Sequence, residues 1–288
     1  MPRTPIAFVF VLASAACGAQ ALMPDPAQRG KTPPTADELK QIETIRDVGR
    51  EIYRQDQLAW HATDAAIAKI GERRMHAEVG GWVVTTIDGG SLVTFVRREP
   101  KSADDEVLAE VRMLDGKRKP VVDKKVKRTL SPTERTLIAA RNTAMAKVPV
   151  PCSRTYNTAT LPTPNGDWDV YALAGTTDAS IVPVGGHARI TVSADGTKVL
   201  GVEPYSKGCL DLTKEPPPKG AEPFLFMTHI VGDLPAPTHV FLSLTHGTRM
   251  HVLTPRHHWI VAGDAIVAVP ADTAEGDAAE STAAKSEP

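Results

Sequence analysis

Aromatic side chains are scarce in this chain of 288 residues, Phe, Trp and Tyr together making up 5%. An excess of either charge is also missing, since 33 Lys and Arg offset 34 Asp and Glu. Nucleic-acid binders ordinarily carry a clear basic excess, so nucleic acid is not an expected partner. Cysteine occurs only at Cys17, Cys152 and Cys209, too few for a disulfide-dense scaffold or a four-cysteine zinc site. Neither C-x-x-C, H-E-x-x-H nor G-x-S-x-G is present, which removes the usual signatures of redox, metalloprotease and serine-hydrolase chemistry. The longest purely apolar run, residues 6–13, is far below the roughly 20 residues of a membrane-spanning helix, so no transmembrane span is expected.

What is there begins with that short run. Arg3 precedes it and small residues follow it as far as Ala19-Gln20-Ala21, the pattern of a secretory signal peptide (residues 1–21) cleaved after Ala21. Ala16-Cys17-Gly18 resembles a bacterial lipobox and offers the alternative of a lipid anchor at Cys17, but Ser14 stands where that pattern wants Leu. Cleavage is therefore the preferred reading, and the location is periplasmic or secreted. In such an oxidising compartment disulfides persist. With Cys17 removed or lipidated, Cys152 and Cys209 are the one pair left to form a bond. Residues 22–34, with Pro24, Pro26, Pro33 and Pro34, read as a disordered lead-in. Residues 271–288, acidic and without an apolar period, read as a disordered tail.

Between these ends the composition is that of an ordinary globular protein, 42% hydrophobic and 23% charged. Leu39, Ile42, Ile45, Ile52, Ala59, Trp60, Ile67 and Ile70 recur at helical spacing, predicting one helix over 35–70 or two broken near Gly49 or Asp56, with Trp60 as a core anchor. Residues 82–87, 92–98 and 107–114 alternate as strands around turns at Asp88-Gly89-Gly90 and Asp115-Gly116, a meander with one buried face. Ser131-Pro132-Thr133-Glu134 is a capping box with proline at the first helical position, announcing a second helix that Pro149 and Pro151 end. A Pro-rich link over 149–166 follows. Strands are then expected over 167–174, 181–184, 188–194 and 197–204, and again over 224–229, 239–246, 249–254, 259–262 and 265–269. No crossover helix is evident in the last block, so all pairing should be antiparallel.

The expected fold is α+β, a long N-terminal helix and a second capped helix packed on antiparallel meanders. The chain divides into 35–130 (helix plus meander) and 131–270 (helix plus antiparallel strands). Each half has a helix, a strand opening at a tryptophan (Trp82, Trp168) and a tight Asp-Gly turn. This order resembles the cystatin-type layout, and the resemblance implies two similar halves of that kind. It is a likeness of fold class and carries no activity.

Two clusters are candidates for chemistry. Lys117, Arg118, Lys119, Lys124, Lys125, Lys127 and Arg128 concentrate positive charge that would attract an acidic envelope partner or polymer, and equally suit a solvated sheet edge. His246, His251, His257 and His258 belong to a run of six histidines between His229 and His258. If Gly247-Thr248 is a hairpin turn, His246 and His251 share a face and could hold a transition metal with His257 or His258. No catalytic constellation stands out and no cofactor is called for. The sequence therefore reads as an exported bacterial envelope protein, a non-catalytic binder of an unidentified envelope protein or ligand. A metal-binding or metal-dependent exported protein is the alternative.

Overall fold

The computed structural model describes residues 29–270 apart from 103, 215, 216, 218, 220 and 221. The expected signal segment (residues 1–21), residues 22–28 of the expected lead-in and the acidic tail (271–288) lie outside the described residues. In the remainder of the lead-in, Arg29 Nε donates to the Thr254 carbonyl (2.8 Å) and the Gly30 amide to the Arg256 carbonyl (2.9 Å).

Helix α1 (Ala36–Ile70) is a single element of 35 residues. Thr35 and Glu38 close a capping box at its start, the Thr35 amide donating to Glu38 Oε2 at 2.8 Å. The helix runs unbroken through Gly49 because α4 (Pro237–His246) crosses it there. A Cβ on Gly49 would lie 2.5 Å from the Val240 Cβ and 2.7 Å from the Pro237 carbonyl oxygen. The buried face is built largely from Ile52, Ala59, Ala62 and Ala66. Trp60, one position and about 100° round from Ala59, is 56% exposed and is not the expected core anchor.

After the short α2 (Glu72–Glu78), strands β1 (Val79–Ile87), β2 (Gly90–Arg97), β3 (Val107–Leu114) and β4 (Val121–Asp123) form an antiparallel sheet in sequence order. Its helix-facing side packs on the C-terminal half of α1 through Val93, Phe95, Ala109 and Val111. Its other side is also covered, which corrects the expectation of one buried face. Thr94 and Glu110 are buried there beneath the start of α3 (Pro132–Met145). Arg128 fills this layer, donating to Glu110 Oε1 and to both oxygens of Glu134, each at 2.7 Å. Burial alone would raise the Glu134 carboxyl, but hydrogen bonds from Arg128, Thr94 and Ser131 overcome it and hold the pKa down at about 2.

Helix α3 carries the expected Ser131–Glu134 capping box and packs its Ala140–Ala144 face on a second antiparallel sheet. That sheet has the order β5 (Tyr156–Pro162), β6 (Trp168–Ala174), β8 (Ala188–Val192), β9 (Val199–Pro204). β5 lies inside the stretch expected to be a Pro-rich link. A small two-stranded sheet pairs β7 (Ile181–Pro183) with β10 (Asp211–Thr213). Cys152 and Cys209 are joined by a disulfide (Cα–Cα 5.3 Å) that ties the entry to β5 to the approach to β10.

The last block departs most from the sequence reading. Residues 237–246 form α4, not a strand. Six consecutive residues of α4, 238–243, are buried, so the helix has no polar face and its period is invisible in the sequence. Pro237 opens it, and Gly247 in the left-handed region (φ +59°) ends it. With α4 as crossover, β11 (Phe224–Thr228) and β12 (Arg249–Leu253) pair in parallel. β13 (His258–Ala262) and β14 (Ala265–Val269) then complete the sheet as antiparallel strands. The largest core joins the N-terminal half of α1, one face of the second sheet, α4 and this third sheet.

Candidate ligand-binding cleft

Strand alternation fixes one wall of the cleft. In the second sheet Val170, Ala172, Ala188, Ile190 and Val192 turn to α3, so Tyr171, Arg189 and Glu203 turn to the opposite side. These three stand in one cross-strand row, Tyr171 opposite Arg189 and Arg189 opposite Glu203. Arg189 pairs with Glu203 through Nη2 and lies 3.6 Å from Asp169 through Nη1. Burial and the Asp169 charge push the Tyr171 hydroxyl up to about 12, and burial also raises Tyr205, so both phenols stay protonated at any ordinary pH.

The facing wall is the first half of α1, with Ile45 and Val48 as its apolar part, and the floor is the Pro-rich segment between β11 and α4. Together they enclose a cleft of about 570 Å³, inside the usual range for small-molecule sites. Glu38 and Arg256 form an ion pair at its edge, and Asp233 lies 3.4 Å from Arg256 Nε. The Glu38 carboxyl is held below its usual value. Burial works against this, but the Thr35 hydrogen bonds and the charges of Arg256 and His257 outweigh it.

Behind the floor lies a group of buried imidazoles. His229 lines the cleft and meets His239 edge-on, ring centroids 4.8 Å apart. His239 Nδ1 accepts from the Ala236 amide at 3.0 Å, which leaves the proton on Nε2. His187 Nδ1 accepts from the Ala174 amide and its Nε2 donates to the Pro183 carbonyl at 2.6 Å. Burial depresses all three, His187 and His229 to about 4 and His239 well below its normal value. They are neutral at pH 7. No hydrogen bond from the described residues reaches the His229 ring or the Tyr205 hydroxyl, so both are available to a ligand.

No family model, curated protein or solved structure matches the chain.

The residues singled out from sequence fall elsewhere. Lys117, Arg118, Lys119, Lys124, Lys125 and Lys127 are exposed around β4, while Arg128 is committed to Glu110 and Glu134. Of the four metal candidates, His246 sits at the C-terminal end of α4 and not on a hairpin beside His251, because the expected turn at Gly247 is a helix terminus. His257 is buried 3.5 Å from Glu38 Oε1. Only His251 and His258 converge, Nδ1 to Nε2 at 3.0 Å. Among the described residues no group of three or more His, Cys, Asp or Glu side chains is placed to hold a metal ion. Sequence reasoning missed Tyr171, Tyr205 and His229, since residues on three separate elements share no spacing. The one available signal was a tyrosine within the expected strand 167–174 and another just after the expected strand 197–204.

Proposed function

We propose that this chain is an exported, non-catalytic binding protein of the bacterial envelope whose ligand occupies the His229 cleft. The observation that carries this reading is the convergence of uncommitted hydrogen-bonding groups, Tyr205 and neutral His229, on a cleft with apolar walls at Ile45, Val48 and Leu234. The neighbouring charges are already balanced within the protein, Arg189 by Glu203 and Arg256 by Glu38. A charged ligand would have to compete for them, so a neutral molecule with an apolar body and one polar end is favoured. The disulfide supports an oxidising compartment outside the cytoplasm. No helix among the described residues is long and apolar enough to cross a membrane.

Screening neutral fragments by NMR, with the His229 and Tyr205 ring signals as reporters, tests the reading. Ligands that shift both signals should lose binding in His229→Leu and in Thr44→Trp, which places an indole on the exposed rim. Binding that survives both changes refutes the assignment.

A second reading, metal binding, is favoured only by the His251–His258 approach. Two imidazole nitrogens 3.0 Å apart match neighbouring ligands on one ion at metal–nitrogen distances of about 2.0–2.1 Å. Titration with Cu(II) of the tag-free protein and of His251→Ala decides it: equal affinity of the two rejects the site.

A further inference from the structure

About 18 Å further along α1 from Val48, at twelve residues of 1.5 Å each, a second cleft of about 560 Å³ opens around Trp60. It shares no lining residue with the His229 cleft. Its walls are α1, the start of β5, the loop after β6 and the C-terminal end of α4, with Trp82 of β1 as a second indole.

We propose that this cleft is a binding site for a neutral oligosaccharide. Trp60 leaves a broad apolar face in water, 56% exposed, where a helix surface would ordinarily carry a polar residue. Its orientation is held by stacking on His61, centroids 5.2 Å apart and planes 14° from parallel. Beside it stands a set of flat polar groups. Asn157 Nδ2 donates to Asp56 Oδ1 at 2.9 Å, and the Gln57 side chain lines the cleft with them. Asp178 lies across the cleft, fixed in a turn by Ser180, whose hydroxyl and amide both donate to Asp178 Oδ1.

The ligand class follows from matching these groups. A pyranose has a face of C–H bonds that covers an indole and a girdle of hydroxyls that both donate and accept, which is what a carboxylate and two amides require. A purely apolar ligand would strip water from Asp56, Asn157 and Asp178 without replacing it. An anionic ligand, a nucleotide included, would meet the carboxylates of Asp56 and Asp178 with Lys214 as the one lysine or arginine among the lining residues to offset them. The cleft volume suits more than one sugar unit.

The test is titration of the whole protein with cellotriose, maltotriose and tri-N-acetylchitotriose, followed by tryptophan fluorescence and calorimetry. At least one should bind with Kd of about 1 mM or tighter. Trp60→Ala should weaken it at least about tenfold, with an unchanged circular dichroism spectrum because the ring is exposed. Asn157→Ala should weaken it too, and Thr44→Trp, in the other cleft, should leave it intact. The proposal is overturned if none of the three sugars binds, or if Trp60→Ala binds as tightly as the parent.

Discussion

His187, His229 and His239 are uncharged inside the fold but take up protons readily once unfolded, which couples stability to pH. The folded pKa values lie below the unfolded one, so the unfolded state binds more protons as pH falls. Their stabilising contribution is complete above pH 6.5 and is lost progressively down to about pH 4. For His187 and His229 the full loss is on the order of 3 kcal/mol each. Urea midpoints measured from pH 7.5 to 4 should fall steeply below pH 6.5. The Glu134 carboxyl, held at about 2 against an ordinary 4.5, adds to the loss only at the acid end, below about pH 5, so the fall between pH 6.5 and 5 reports the imidazoles. A flat profile would mean that the imidazoles are solvated.

At the scale of elements, the crossing of α1 and α4 positions the cleft, since α1 supplies one wall and the segment leading into α4 the floor. Gly49 is the point of closest approach. Alanine in place of glycine within an exposed helix normally stabilises by about 1 kcal/mol. At position 49 the added Cβ would collide with Val240 and the Pro237 carbonyl, so Gly49→Ala should instead destabilise by about 1–3 kcal/mol through overpacking. It should also weaken any ligand of the His229 cleft. Chemical denaturation of the variant gives the sign directly, and a gain in stability would show that the helices do not touch there.

For the whole molecule, the long α1 is the common support. At 1.5 Å per residue it is about 52 Å long, its first half in the large core and its second half against the first sheet. The disulfide acts at the same scale by closing a loop with a sequence separation of 57 around the second sheet. In the entropy model that restricts the unfolded chain by about 4 kcal/mol, a large part of a typical domain stability of about 5–15 kcal/mol. Reduction, or Cys152→Ser with Cys209→Ser, should therefore lower the melting temperature clearly. Sugar binding at Trp60 should persist below the new transition, because neither cysteine lines that cleft. An unchanged melting temperature would show that the reduced unfolded chain is already compact in this region.

Local signals in the sequence determined most of the elements. The Ser131–Glu134 box, the Asp-Gly turns and the period of α1 each depend on residues a few positions apart, so they are legible without the fold. The pairing of Cys152 with Cys209 was legible once Cys17 was set aside with the expected signal segment. Tertiary structure alone decided that residues 237–246 are helical, since burial of every residue from 238 to 243 left no alternation of polar and apolar faces to mark the period. It also decided which histidines meet: His246 was drawn away from His251 by that helix, while His229 and His239, ten positions apart, were brought edge to face. Both clefts belong to this second class. Their walls come from α1, strands and loops far apart in the chain, and such convergence depends on how the elements pack, which no spacing along a single sequence records.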